Sequence, residues 1–433
     1  MRAEALVVGA GPAGLATALR LAEGGHQVRL LARGNGFTHW GAGAIDVLGR
    51  AGEQRVERPL EALGQLAADH PYRVVGEGAL RSGLDWFQRT AASFGLELVG
   101  DPERNRGQVT ALGTLRPTCL LPAPAAGELR GNIAVVNFEG FRDFSPAFCA
   151  EGLRRRAGDG ARITTGVAPM PAWDHDRYFT AVELARAIDE EDFRIRLAPG
   201  LARAAGDAGT VVVPAVLGMR SGHEAWADLE RRTGLRLVEA AIPPPSVPGL
   251  RLFNAYRKRF AELGVRWQFG FPVLGVETSG DRVTAVRSEG ASREITIACE
   301  QLVLATGGVA GNGIQAGRDG SLVEVVAGLE VSGLPPAPDG GRRDRTAFVG
   351  ERFLGAHPIG AAGVRVDREL RPVDRSGNVV HANVRCVGGL LAGHDPTIEG
   401  SREGVALATA TRAAESLAPA VSHATSGQGG ASR

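Results

Sequence analysis

The chain opens on an apolar run, Ala5-Leu6-Val7-Val8, that is too short for a helix and is closed by glycine. A run of this length ending in a turn signal predicts a buried strand. Gly9-Ala10-Gly11-Pro12-Ala13-Gly14 follows, and then Leu15, Ala18, Leu19 and Ala22 fall at i, i+3, i+4 and i+7. That stripe predicts a helix over Leu15 to Glu23 packed on a sheet. Gly24-Gly25 ends it, and Gln27 to Leu31 predicts a second strand. Strand, glycine turn, helix and strand within about 30 residues make the βαβ unit in which a dinucleotide fingerprint has meaning.

Between Arg50 and Ala125 the pattern is mixed, with a helix predicted around Leu80 to Phe94 and turn-punctuated strands after it. From Asn132 the rhythm becomes regular: strands at Ile133–Asn137, Ala161–Val167 and Thr210–Val216 alternate with helices at Ser145–Arg155, Thr180–Asp189 and His223–Arg231. Such alternation predicts a second parallel α/β layer inserted in the first. The proline-rich stretch Ile242 to Pro248 marks a crossover. Beyond it come a helix (Leu250–Leu263), a strand (Val265–Phe269), a hairpin (Val273–Arg287), a short apolar strand ending in Ala305-Thr306-Gly307-Gly308, a strand near Asn383–Gly388 and a last helix from Ser401 to Ser416. The fold class read from this is α/β: a Rossmann-like domain of the FAD/NAD(P)-binding type with an inserted α/β subdomain. Its expected parts are residues 1–50, 246–310 and 360–420 for the nucleotide domain and 51–245 for the insert. Residues 311–359 would form a loop-rich cap, and 421–433, rich in Ser and Gly, a disordered tail.

Charge narrows the partners. With 49 Lys and Arg against 48 Asp and Glu in 433 residues, no net field gathers nucleic acid or an anionic membrane. Cys119, Cys149, Cys299 and Cys386 lie too far apart for a CxxC metal or redox motif, so no metal site is expected. No apolar run approaches the roughly 20 residues of a membrane span, and the first one leads straight into the glycine turn. A cytoplasmic protein is expected, or one peripheral at the inner face of the membrane through partners.

The glycine turn carries a geometric argument. Gly9 permits the tight turn, Gly11 lets backbone N–H groups reach a phosphate, and Gly14 lets helix and strand pack closely, while the helix N-terminus faces the negative charge. A bare GxGxxG is weak in so glycine-rich a chain; placed between strand and amphipathic helix it becomes specific. Two later stretches turn the reading from nicotinamide to flavin. Leu304-Ala305-Thr306-Gly307-Gly308 resembles the turn by which two-domain flavoproteins return to the nucleotide fold. Cys386 to Asp395, through Gly388 and Gly393 to Gly400, resembles their C-terminal flavin loop. The second strand ends in Leu31-Ala32-Arg33-Gly34, without the carboxylate that would accept from an adenosine ribose. Another residue could take that place, or the ligand is the mononucleotide FMN with Arg33 free for a phosphate or a surface role; FMN and FAD both stay open on the residues alone.

His39-Trp40-Gly41-Ala42-Gly43-Ala44-Ile45-Asp46, His70-Pro71-Tyr72, Leu112-Gly113-Thr114-Leu115-Arg116, Pro244-Pro245-Ser246-Val247-Pro248-Gly249-Leu250-Arg251 and Gly393-His394-Asp395-Pro396, in this order, resemble the B subunit of anaerobic glycerol-3-phosphate dehydrogenases over about residues 3 to 415. The resemblance implies an FMN flavoprotein in a three-subunit complex, beside a flavoprotein A subunit and an iron–sulfur C subunit. The complex would oxidise sn-glycerol 3-phosphate to dihydroxyacetone phosphate and pass electrons to quinone. Oxidation of that alcohol needs a base and a cation for the phosphate. His394, His39 and His357 are the base candidates, and Arg116 and Arg251 the phosphate candidates. Gly9, Gly11, Pro12, Ala13, Gly14, Arg33, Gly41, Gly43, Ala305, Thr306, Gly307, Gly388, Gly393, Asp395 and Gly400 are the expected flavin contacts. Asp46 and Asp395 read as loop hydrogen-bonders. Two other readings are a free-standing flavin oxidoreductase of the fumarate-reductase type and a scaffold that has lost its cofactor.

Overall fold

The computed structural model describes residues 1–156, 162–172, 179–220, 222–334 and 344–417. The tail expected at 421–433 lies outside them. Strand β1 (Arg2–Val8), helix α1 (Pro12–Glu23) and strand β2 (Val28–Ala32) form the opening unit. They belong to a seven-stranded sheet that runs Arg266–Phe269, β2, β1, Ile295–Leu304, Arg282–Ser288, Val273–Ser279. The long strand Ile295–Leu304 organises it. One edge pairs in parallel with β1, and the other edge is divided. Its first residues pair antiparallel with Arg282–Ser288, and its last, Leu302–Leu304, pair in parallel with Val384–Cys386. Strands buried on both faces need continuous apolar sequence, and Leu6, Val7, Leu30, Leu31, Leu302, Val303 and Leu304 are all inaccessible to solvent.

Helix α1 lies against the C-terminal helix Arg402–Leu417, which in turn packs on Glu77–Ser93. Small residues set that spacing. A Cβ at Gly83 would come within 2.8 Å of the Leu407 carbonyl oxygen.

A second sheet, all parallel, runs Ile163–Ala168, Ile133–Phe138, Thr210–Pro214, Arg236–Ala240 and has its own apolar core. Two of its elements are absent from the pattern read above. Helix Glu191–Ala205 follows Ala181–Ile188 almost at once, and its Phe193, Leu197 and Leu201 stripe is interrupted to the eye by arginines and Pro199-Gly200. Strand Arg236–Ala240 carries the buried Glu239, which breaks the apolar run.

The helices of this layer are joined by a buried ion cluster. Arg194 Nε donates to Asp228 at 2.6 Å, Arg231 and Arg232 reach the same carboxylate at 2.6 and 2.8 Å, and Arg194 also donates to the carbonyls of Ile188 and Asp189. Burial opposes the Asp228 charge, but hydrogen bonds from Arg232 and Arg194 hold its carboxyl down at about 2. The stabilisation is complete above about pH 4, the ordinary carboxylate range, and is lost as the pH falls toward 2. Asp228→Ala strands the Arg194 charge in the interior and is expected to cost about 3 kcal/mol or more in urea unfolding at pH 7. A loss under about 1 kcal/mol would show that the cluster contributes little.

Candidate functional site

Val8 is opposite Leu304, and Leu304 is opposite Cys386, so three parallel strands end at one level. The turns that leave them, 9–14, 305–308 and 387–395, emerge side by side at the carboxyl edge, where open α/β sheets bind ligands.

Glycine lets these turns interlock. Gly9 has φ +115°, and a Cβ there would sit 2.2 Å from the Ala305 carbonyl oxygen. A Cβ on Gly14 would lie 2.0 Å from the Gly9 oxygen, and one on Gly388 2.6 Å from Cβ of Ala13. The Gly388 N–H donates to Thr409 of the C-terminal helix at 3.0 Å. Gly11 differs from all of these, since a Cβ there meets nothing within 4 Å. It caps α1 with extended backbone and no side-chain partner, and Pro12 occupies the first helical position. The first N–H groups of α1, those of Ala13 and Gly14, thus have no side-chain cap beside an open position at Gly11, and the helix dipole favours an anion there. A phosphate-bearing flavin fits this cradle.

The space in front of it is a cleft lined by Pro12, Phe37, Thr38, Gly41, Gly43, Ala44, Ile45, Phe87, Leu252, Tyr256, Glu403 and Leu407. Gly43, Phe87 and Leu252 also border an apolar hollow that continues to Pro124 and His223. The loop carrying Gly41 and Gly43 is fixed from the other chain segment: Ser246 Oγ donates to the Gly41 carbonyl at 2.7 Å, and Gly43, at φ +71°, lies against Pro248. Of the expected flavin contacts, Pro12, Gly41 and Gly43 line the cleft; Gly9, Ala13, Gly14, Ala305, Thr306, Gly307 and Gly388 belong to the interlocked turns behind it. The Thr306 hydroxyl is buried without a partner. Arg33 stands exposed at the end of β2, beyond the buried Ala32. Gly393 packs on Asp69, and Gly400 takes the left-handed conformation that ends the short helix Pro396–Glu399. Asp395 caps that helix, accepting from the N–H groups of Thr397 and Ile398.

The three histidines stand in different surroundings. His394 is 2% exposed and neither ring nitrogen makes a hydrogen bond of good geometry. Burial pushes it down to about 4, against the opposing charge of Glu399. Its ring packs edge-on against His70, whose Nε2 meets Glu399 at 3.2 Å. His39 lies in an aromatic cluster with Trp40 and Phe253, and burial lowers it too. His357 belongs to a surface loop, with Nδ1 accepting from the Gly350 N–H and Nε2 beside the Phe353 carbonyl. The arginines are engaged as well. Arg251 is buried, donating to the Gly218 carbonyl at 2.7 Å and to both oxygens of Glu239 at 3.3 Å, which ties helix Val247–Glu262 to the second sheet. Arg116 pairs with Asp46 at 2.7 Å and with Gln108 at 2.8 Å.

One residue that spacing alone does not mark is Glu403, a neighbour of Asp46. A Glu in the first turn of a helix is ordinary in sequence; only its burial, 8% exposed at the cleft wall, sets it apart.

The FAD binding domain family matches residues 4–405, and the chain belongs to it. The fold and the cradle thus define a flavoprotein. The B subunit of the anaerobic glycerol-3-phosphate dehydrogenase of Vibrio cholerae serotype O1 is 33% identical over 435 residues, 96% of this chain and 97% of the relative. Its counterpart from Yersinia enterocolitica serotype O:8 is 31% identical over 436 residues, 97% and 99% of the two chains. At that likeness over nearly full length, the chain belongs to the B-subunit family of anaerobic glycerol-3-phosphate dehydrogenases. A solved 3-ketosteroid delta1-dehydrogenase from Sterolibacterium denitrificans aligns at 11% identity and TM-score 0.45, covering 96% of this chain and 99% of that one. Among the described residues no helix is long and apolar enough to cross a membrane.

Two expectations follow. Gly11→Ala leaves stability within about 0.5 kcal/mol in thermal unfolding but weakens flavin binding tenfold or more, because its methyl enters the phosphate space. Gly14→Ala collides with the Gly9 carbonyl and costs about 2 kcal/mol or more; equal effects of the two on stability would contradict the cradle. The second concerns His394, which stays neutral in the folded chain while the unfolded chain takes up a proton near pH 6.5. Its presence makes stability decline as the pH falls from about 6.5 to 4. In His394→Leu the pH dependence of denaturant midpoints over that window is expected to flatten, and an unchanged slope would exclude His394 as its source.

Proposed function

We propose that this chain is the flavin-carrying subunit of a respiratory glycerol-3-phosphate dehydrogenase, taking part in the oxidation of sn-glycerol 3-phosphate to dihydroxyacetone phosphate with electrons passed on to quinone. The observation that carries the proposal is the phosphate cradle of Gly9, Gly11 and Gly14 in a chain that matches relatives named for this dehydrogenase over 96% of its length. The backbone N–H groups of Ala13 and Gly14 hold the flavin phosphate, and the turns at Ala305–Gly307 and Gly388 close the cleft behind it against water. The bound flavin supplies a two-electron acceptor. Arg402, stacked over the Phe37 ring at the cleft wall, adds a positive charge from the C-terminal helix.

The flavin proposed is FMN. What supports it is the end of β2, where Ala32 is buried and Arg33 and Gly34 are exposed, with no carboxylate to accept from an adenosine ribose. The partners proposed are a sister flavoprotein subunit and an iron–sulfur subunit, supported by the relatives' naming as B subunits. Attachment to the inner face of the membrane runs through them.

Acid release of the flavin from the purified chain, followed by chromatography, is expected to yield FMN; FAD would overturn that choice. In the complete three-subunit assembly, sn-glycerol 3-phosphate is expected to bleach the flavin absorbance. An assembly whose flavin stays oxidised under anaerobic substrate would contradict the dehydrogenase reading.

A further inference from the structure

Two buried carboxylates come together at the flavin cleft, one of them in its wall. Asp46 and Glu403 are both more than nine-tenths buried, on the loop after Gly43 and in the first turn of the C-terminal helix. The Gly404 N–H donates to the Asp46 carbonyl at 2.9 Å, and a Cβ on Gly404 would meet the Tyr72 hydroxyl at 2.2 Å, so the helix start is held tightly against this loop. Arg116 is committed to Asp46 at 2.7 Å. Glu403 has no such partner: its Oε2 is buried without a hydrogen bond, and the residue lines the cleft beside Pro12, at the end of α1 where the phosphate belongs.

Two buried carboxylates close together with one paired guanidinium do not both keep a charge. Burial raises the Asp46 carboxyl as well, but Arg116 at 2.7 Å acts against that rise, so the proton belongs on Glu403. Of the charged groups facing it, Asp46 disfavours its ionisation, while Arg402 on its own helix and Arg116 across the loop favour it. Tyr72, from helix Pro71–Val75, is turned away, its hydroxyl donating to the Val47 carbonyl at 2.6 Å. Helix Glu77–Ser93 and α1 offer apolar groups there, Phe87 and Pro12 among them. Burial, and then Asp46, push the Glu403 carboxyl up to about 7. Covering the cleft removes remaining water and brings a phosphate anion near, and both act against an ionised carboxylate.

We propose that Glu403 enters the flavin-bound cleft protonated and donates its O–H to an acceptor oxygen of the flavin, so that binding takes up one proton from solution. This rests on the flavin assignment above. The balance is simple: the carboxylate gains one proton from solvent, no electron moves, and the added positive charge offsets one negative charge of the ligand. Affinity is then full below about pH 7, where the free chain already carries the proton, and falls by up to tenfold per pH unit above it. Glu403→Gln keeps the shape, donates from its amide and has nothing to titrate. Asp46→Asn removes the charge that favours protonation, so its break moves to lower pH.

The test is titration of the flavin-stripped full-length chain with FMN and with FAD from pH 6 to 9, joined to calorimetry at pH 8 in two buffers of different ionisation enthalpy. The wild-type chain is expected to take up close to one proton per flavin and to lose affinity above pH 7. Glu403→Gln is expected to bind with flat affinity and no proton uptake, and the Asp46→Asn break to fall below that of the wild type. Flat wild-type affinity, or proton uptake that survives in Glu403→Gln, overturns the proposal while leaving the flavin assignment standing. If the wild-type chain binds neither flavin at any pH, the assignment falls and the proposal with it.

Discussion

Everything at the site depends on one strand. Ile295–Leu304 is held in register with β1 on one side and, through its last three residues, with Val384–Cys386 on the other. That pairing delivers three turns, from segments about 80 to 380 residues apart in sequence, to one carboxyl edge. Their mutual approach is closer than any side chain permits, which is why glycine occurs at positions 9, 14 and 388. The same absence of side chains leaves bare backbone N–H groups at the start of α1. Close packing and the phosphate cradle proposed for the start of α1 both follow from one geometric constraint.

Charge follows a consistent pattern through the molecule. Three arginines that reach toward the interior are tied to buried carboxylates: Arg194 to Asp228, Arg251 to Glu239 and the partly exposed Arg116 to Asp46. Arg251 illustrates the consequence, since a guanidinium that joins a helix to the second sheet with two hydrogen-bonded partners has little left to offer a substrate phosphate. Glu403 departs from the pattern at the cleft, which is where an uncompensated group has a use.

Much of the fold was legible because the deciding signals are local. The glycine turn, the i, i+3, i+4 stripe of α1, the Ser279-Gly280-Asp281 hairpin and the alternation after Asn132 each reflect backbone chemistry that acts over a few residues. Helix Glu191–Ala205 was not legible, because its apolar face becomes visible only once the arginines and Pro199 are known to lie outside or along a packed layer. Strand Arg236–Ala240 was hidden by Glu239, whose partner Arg251 is 12 residues away. At the site, the cradle glycines could be read, whereas Glu403 and the burial of His394 could not. Nothing in Arg402-Glu403-Gly404 distinguishes a solvated first-turn Glu from one enclosed between Asp46 and a cleft. Long-range enclosure, and the pairing of Arg116 with Asp46, decide those roles.

If the three sequence-distant turns form a single flavin site, they respond to flavin together. Hydrogen–deuterium exchange of the full-length chain, with and without flavin, tests it most directly. Residues 9–14, 305–308 and 388–395 are expected to gain protection together on saturation with flavin. Protection of one turn without the others, or protection confined to the second sheet, would contradict it.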